Sequence, residues 1–352
     1  MIPSDPVIAI VGATGAVGEE FLSILASRRF PHRQLRLFAS KRSAGTVVDF
    51  QGRKLLVEEL NEDSFDGVHI ALFSAGKNVS KQYGPIAVQA GCMVVDNSSC
   101  FRMDPDVPLV VPEVNGDVLA SITKPCIIAN PNCSTIIALM AVSPLHRAVG
   151  IERMVVATYQ AASGAGAAAM RELETQAREF VAGFAYTTAI FGRQYLFNVF
   201  SHNSAIGPDG YNEEERKLLL ETRKIWNDQK VRVTATCVRV PTLRAHCEAI
   251  NLTFRDSLSE ADARTILAKA PGIRIVDDRA ANRFPEPIEA SGIDDVLVGR
   301  IRADISQEPG KGLDLFVSGD QIRKGAALNA IQIAERFVPA AAGVRAGSAA
   351  RT

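Results

Sequence analysis

Val7-Ile8-Ala9-Ile10-Val11-Gly12-Ala13-Thr14-Gly15-Ala16-Val17-Gly18 is the stretch that decides the fold. Five successive apolar residues, bounded by glycine, read as a strand buried on both faces. The glycines fall at a turn, and a helical pattern over 17–27 follows, with Val17, Phe21, Leu22 and Leu25 on one stripe. A glycine motif is informative only in that setting of strand, turn and helix. Gly12 and Gly15 permit a tight turn and close backbone approach to a ligand, and Gly18 permits helix–sheet contact. The N–H groups at the helix start suit a pyrophosphate. The spacing is G-x-x-G-x-x-G rather than the commoner G-x-G-x-x-G, so a purely structural turn stays open at this point.

Working outward, residues 35–39, 68–73, 93–95 and 126–129 read as further strands, with a helix over 79–89. That alternation predicts a parallel, doubly wound α/β sheet. From about residue 133 the texture changes. Helices are expected over 133–145, 165–182 and 213–226, and strands over 154–158, 231–238, 249–254, 296–305 and 313–317. Residues 186–211 form a polar, aromatic-bearing excursion, and 325–338 a final amphipathic helix. This second pattern suggests an α+β domain whose mixed sheet packs one face on helices. The expected division is 1–132, completed by a C-terminal helix 322–340, then 133–321, with a flexible tail 341–352.

With 352 residues the core is expected to split in two. Thirty-nine basic residues balance thirty-nine acidic ones, which leaves no electrostatic footprint for nucleic acid or an anionic membrane. The longest stretch without Asp, Glu, Lys or Arg, 125–146, is long enough to span a bilayer, but Asn130, Pro131, Asn132, Ser134 and Pro144 interrupt it. The N-terminus shows no basic-then-apolar signal segment. Six cysteines show no Cys-x-x-Cys pair and no zinc spacing, and the five histidines are scattered. A reduced, cytoplasmic protein without a metal is expected.

The end of the second strand bears on which dinucleotide would bind. An NAD site would place Asp or Glu there. Here the chain reads Ala39-Ser40-Lys41-Arg42-Ser43, with two cations and two hydroxyls that suit the extra phosphate of NADP. A solvated basic turn is the alternative.

Asn130-Pro131-Asn132-Cys133-Ser134-Thr135 sets one thiol where a strand meets a helix. Pro131 stops the strand and Asn132 can cap the helix. Cys133 then lies at the positive end of the helix dipole, which favours thiolate. At a pKa of about 8.5 about 3% of a thiol is ionised at pH 7. Lowering the pKa by about two units raises that fraction roughly 25-fold, while intrinsic nucleophilicity falls roughly 8-fold. The net gain of about threefold is small, so a base must manage the proton on the oxygen at the reacting carbon. Arg239-Val-Pro-Thr-Leu-Arg-Ala-His246 supplies one in a turn after an apolar strand. Cys237 and Cys247 read as packing residues.

These residues together resemble the bacterial and plastid aspartate-β-semialdehyde dehydrogenase family, over nearly the whole chain. The motifs that carry the resemblance are Gly12–Gly18, Asp96-Asn-Ser-Ser, Asn130–Thr135, Tyr159-Gln-Ala-Ala-Ser-Gly164, Gly210-Tyr-Asn-Glu-Glu-Glu-Arg-Lys217, Arg239-Val-Pro…His246 and Gly319-Asp-Gln-Ile-Arg-Lys-Gly325. The resemblance implies a Rossmann-like NADP-binding domain and a catalytic and dimerisation domain. It implies reversible, phosphate-dependent oxidation of L-aspartate 4-semialdehyde to L-aspartyl 4-phosphate, working reductively toward lysine, methionine and threonine, in a homodimer. Carried over, Cys133 is the nucleophile that forms the thioester, His246 the acid/base, and Gln160 a group that positions the substrate. Arg239 falls on the clamp for the α-carboxylate, Glu214 on the contact for the α-ammonium, and Arg102 with Lys217 on the phosphate site. Gly12, Thr14, Gly15, Ala16, Val17, Arg42, Ser43, Ser163, Gly164 and Gln321 fall on cofactor positions. Glu214 and Lys217 could also be an ordinary i,i+3 surface pair. Many relatives carry Gly before the histidine, where this chain has Ala245, a change expected to matter little. Rival readings are another thiol-dependent acyl reductase on the same fold and a non-catalytic dinucleotide-binding paralogue.

Overall fold

A computed structural model describes residues 2–339. The tail expected over 341–352, and the end of the helix expected to reach 340, lie outside the described residues. The described chain divides into two compact units, one of residues 2–108, 117–130 and 330–339, the other of 109–116 and 131–329.

The first unit is built on β1 (Val7–Val11), α1 (Ala16–Ser27), β2 (Gln34–Ala39), β3 (Val47–Phe50), β4 (Arg53–Glu59), β5 (Ile70–Phe73), α2 (Lys77–Gln89), β6 (Met93–Asp96) and β7 (Ile127–Ala129). Its sheet runs β3-β4-β2-β1-β5-β6-β7. All neighbours are parallel except β3 and β4. Every residue of β1, β5 and β6 is buried, as strands covered on both faces require. The doubly wound reading therefore holds. The β3–β4 hairpin, over residues read as having no element, turns at Gln51-Gly52, both at positive φ. Only Phe50 and Val57 in it are buried, so its apolar signal is faint.

The second unit contains α3 (Pro112–Asn115), α4 (Cys133–Val149), β8 (Ile151–Gln160), α5 (Ala167–Ala182), β9 (Phe200–Ser201), α6 (Glu213–Trp226), β10 (Arg232–Arg239), β11 (His246–Phe254), α7 (Glu260–Ala268), β12 (Ile273–Ile275), α8 (Pro287–Ala290), β13 (Val296–Ala303) and β14 (Gly312–Gly319). The sheet order is β12-β13-β14-β11-β8-β10-β9. It is mixed: β8 runs parallel to β10, while β11 is antiparallel to both β8 and β14. α4 explains the charge-free stretch, because nearly every residue from Ser134 to Leu145 is buried against the sheet and its helices. An apolar perimeter on a helix marks a core element as readily as a membrane span. Among the described residues no helix is long and apolar enough to cross a membrane.

Besides the hairpin and the short elements α3, β9, β12 and α8, two helices differ from expectation. α7, which the sequence reading does not include, follows Ser259, whose hydroxyl accepts from the Asp262 N–H in a Ser-x-x-Asp start. The single helix expected over 325–338 is instead a π turn, Arg323–Ala327, followed by α9 (Leu328–Glu335). Gly325 N–H reaches back five residues to Asp320 O, and Ala327 N–H to Ile322 O. The wider turn sets Gly325 against Cys133, where a Cβ would stand 3.0 Å from the cysteine Cβ. Single π turns inside helices are frequent at functional sites.

Candidate active site

In the first unit the glycine turn has the geometry that its sequence demands. Gly12 has φ +89°, and a Cβ there would meet Ser74 O at 2.6 Å. A Cβ on Gly18 would meet Gly12 O at 2.3 Å, so helix and strand touch through it. Gly15 is the N-cap of α1, which leaves the N–H groups of Ala16, Val17 and Gly18 without intrahelical acceptors, as at any helix start. Thr14, Ala16 and Val17 line this turn. Lys41, Arg42 and Ser43 form one turn after β2, the two cations exposed and Ser43 half-buried, closed by Ser43 N–H to Ser40 O at 2.8 Å. Backbone room at Gly12, bare N–H groups and accessible cations fit a phosphorylated dinucleotide. Arg102, also in this unit, is buried and donates to Asn130 O (2.9 Å) and Asn97 O (2.8 Å).

The second unit gathers its chemistry at one end of its sheet. Gln160 ends β8, Arg239 ends β10 opposite it, and His246 opens the antiparallel β11. Arg239 and His246 thus lie on either side of β8, not in one turn as expected. Cys133 is the first residue of α4, half-buried, and Asn132 caps the helix through Oδ1, which accepts from Ser134 N–H (3.0 Å) and Thr135 N–H (3.3 Å). The cap is itself held. Glu221 accepts from Asn132 N–H at 2.6 Å, and Glu214 Oε1 accepts from Asn132 Nδ2 at 2.9 Å and Gln160 Nε2 at 3.1 Å. Gln160 also donates to Ser134 Oγ at 2.9 Å.

Glu214 is therefore no surface residue. It is 4% exposed, and Lys217 donates to its other oxygen at 3.0 Å. Burial alone would raise its carboxyl pKa, but the Lys217 ammonium and the neighbouring donors hold it well below the usual carboxylate range. The surface-pair alternative fails on this burial.

His246 is fully buried, and its Nδ1 accepts from Ala161 N–H at 3.1 Å. The hydrogen of the neutral ring consequently sits on Nε2, which has no hydrogen-bond partner among the described residues. Burial, then the Arg239 charge, lowers its pKa to about 3, so the ring is neutral near pH 7. Gly164 keeps the space beside it open: a Cβ there would stand 3.0 Å from both His246 Nε2 and Arg239 Nη1. In this tautomer Nε2 is a donor, poised to act on an oxygen. Acting as a base at Nε2 requires the other tautomer and the loss of the Ala161 bond.

The bend before His246 is pinned by Gln321, which accepts from Ala245 N–H at 2.9 Å and donates to Ser163 Oγ. Ala245 sits at φ +68°, a left-handed conformation that an L residue reaches only with strain. The alanine thus strains the backbone while changing no functional group. Asp320 braces the same region, accepting from Arg244 Nε (2.7 Å) and Gly292 N–H (2.6 Å).

None of the six cysteines is in a disulfide, and burial pushes the Cys92 thiol up to about 12 and that of Cys247 up to about 11. No metal-holding cluster occurs among the described residues. The sequence reading missed Glu221, two helical turns after Glu214 on one face of α6, and His202, whose ring meets Arg239 (Nε2 to Nη2, 2.8 Å).

Two family models match the chain: a semialdehyde dehydrogenase NAD-binding domain over residues 7–122 and a semialdehyde dehydrogenase dimerisation domain over 142–324. The aspartate-semialdehyde dehydrogenase of Synechocystis sp. is 52% identical over 337 residues, covering 96% of this chain and 98% of its own. That of Aquifex aeolicus is 49% identical over 333 residues, covering 94% and 97%. The crystal structure of aspartate semialdehyde dehydrogenase II from Vibrio cholerae complexed with ASA is similar at a TM-score of 0.91 with 44% identity, over 95% of this chain and 98% of that one. The Candida albicans enzyme with NADP gives 0.72 with 25% identity, over 94% and 98%.

Proposed function

The chain belongs to the aspartate-semialdehyde dehydrogenase family, and from that premise we propose that it converts L-aspartate 4-semialdehyde reversibly to L-aspartyl 4-phosphate, with NADP and inorganic phosphate, through a thioester on Cys133. It serves lysine, methionine and threonine biosynthesis in the cytoplasm as a homodimer assembled through the second unit, a reading supported by the dimerisation-domain match. The observation that carries the proposal is the convergence of a capped thiol, a neutral imidazole with its Nε2 unpartnered, a buried guanidinium and a buried carboxylate at one end of one sheet.

Each group has a task that its chemistry permits. Cys133 thiolate, favoured at the start of α4, adds to the aldehyde carbon. The Nε2–H of His246 donates to the oxygen as negative charge develops there, and Gln160 positions the substrate. A donor at Nε2 serves the reverse direction as well, where the same oxygen gathers charge before the thiolate departs. Arg239 grips the α-carboxylate with its planar fork, and Glu214 takes the α-ammonium. NADP, when bound, supplies the hydride acceptor. Gly12, Thr14, Gly15, Ala16, Val17, Arg42 and Ser43 of the first unit would hold it. Lys217 serves phosphate, whose attack on the thioester releases the thiolate and forms the acyl phosphate.

The Candida albicans structure with NADP supports the choice of coenzyme, as do the cations at 41–42. Steady-state NADPH formation measured with aspartate semialdehyde should require phosphate, and should be much faster with NADP than with NAD. A rate independent of phosphate, or a preference for glyceraldehyde 3-phosphate, would overturn the assignment.

A further inference from the structure

The excursion between α5 and α6 supplies no group to the chemistry above, yet it is tightly built. Tyr195, Phe191 and Phe200 stack edge to face at 5.0–5.6 Å, and Gln176 of α5 accepts from the Tyr195 and Leu196 N–H groups, both at 2.9 Å. Tyr195 Oη donates to Val240 O at 2.6 Å, just past the end of β10. β9 then pairs with β10 so that Phe200 lies opposite Arg239 and Ser201 opposite Val238. That register delivers the next two residues to the guanidinium. Arg239 Nη2 lies 2.8 Å from His202 Nε2, its Nε donates to Asn203 Oδ1 at 3.3 Å, and Phe191 faces Cζ at 5.7 Å.

A guanidinium only donates, so His202 Nε2 must accept and the ring hydrogen lies on Nδ1. Ser204 offers Nδ1 both its hydroxyl, at 3.0 Å, and its N–H, at 3.2 Å; with hydrogen on Nδ1 the hydroxyl oxygen is the acceptor. The same Ser204 Oγ accepts from the Glu214 N–H at 3.3 Å. A relay of three hydrogen bonds thus ties the Arg239 guanidinium to the first turn of α6, which carries Glu214.

We propose that His202 is a positioning residue for substrate selection, fixing the Arg239 guanidinium relative to Glu214 so that the pair accepts an aldehyde bearing an α-amino acid group. The proposal rests on the reading of Arg239 and Glu214 as the contacts for that group. Burial lowers the His202 pKa to about 4, so the ring stays an acceptor through the neutral range.

The test compares aspartate semialdehyde with propanal, which lacks both α substituents, in His202→Leu, His202→Gln and Arg239→Leu. His202→Leu should raise KM for aspartate semialdehyde at least about tenfold, with kcat within about threefold, because a buried donor loses its acceptor. The ratio of kcat/KM between the two aldehydes should fall by the same factor. His202→Gln, whose Oε1 can accept from Arg239, should recover most of that ratio; a merely structural role would show no such rescue. If Arg239→Leu collapses the ratio and His202→Leu leaves it intact, the positioning role is wrong. If Arg239→Leu itself leaves the ratio intact, the clamp reading falls, and this proposal falls with it.

Discussion

At the start of α1, one short run of chain supplies the whole turn: Gly12, Gly15 and Gly18 act by what they lack, and backbone N–H groups do the work. At the start of α4 the cap is local, but everything around it comes from far away. Glu214 and Glu221 arrive from α6, Gln160 from β8, Arg239 from β10 and His246 from β11. The first site is backbone chemistry and tolerates few side chains; the second is side-chain chemistry and tolerates few backbone shifts. Damage to one should therefore spare the other, and the first two predictions below test that separation.

The largest effect should come from His246→Ala. Removing the Nε2 donor should lower kcat by roughly 10²–10⁴-fold, while NADP affinity by calorimetric titration stays near wild type. A parallel loss of coenzyme affinity would show that the two sites are not independent. The reverse experiment is Gly12→Val. A side chain against Ser74 O at positive φ should cost NADP affinity about 100-fold, close to 2.7 kcal/mol, whereas the alkylation rate of Cys133 should not change.

Next comes the pH response of the side-chain site. In the folded protein burial lowers the pKa of His246 to about 3 and that of His202 to about 4, from the ordinary imidazole value of about 6.5. Protons bind the unfolded chain first, so stability should fall as pH drops below 6.5, by up to about 1.4 kcal/mol per pH unit per ring. Glu248, fully buried beneath this site, has the opposite sign. Burial, then the Glu214 charge, raises its pKa well above 4.5, so it costs stability as pH rises from 4.5 through the folded value. Glu248→Gln should therefore raise Tm more at pH 8 than at pH 5; an equal shift at both would contradict the assignment. The smallest effect belongs to Ala245→Gly. Relief of the left-handed strain, partly offset by unfolded-chain entropy, should stabilise the protein by no more than about 1 kcal/mol with kcat unaltered, measured by urea denaturation.

The same contrast explains what could be read in advance. The glycine turn, the Asn132 cap and the helix Glu213–Trp226 announce themselves because their determinants lie within a few residues. The β3–β4 hairpin escaped because only one residue of each strand is buried. In the side-chain site, Cys133 and His246 were legible from local context, but Gln160, Glu214 and Gln321 were reached only through the family resemblance. Glu221, His202 and Glu248 were missed because nothing beside them in the chain marks their partners; the sheet order that makes them neighbours is non-local. The π turn had no signal either, since its consequence, the close approach of Gly325 to Cys133, joins residues far apart in the chain.

The central claim is a covalent intermediate at Cys133, and a burst experiment addresses it directly. The enzyme is mixed rapidly with aspartate semialdehyde and NADP in phosphate-free buffer. One NADPH should form per active site and then stop, with an acyl group recovered on the Cys133 peptide by mass spectrometry, and added phosphate should restart turnover. No burst, or an acyl group on any other residue, would contradict the account.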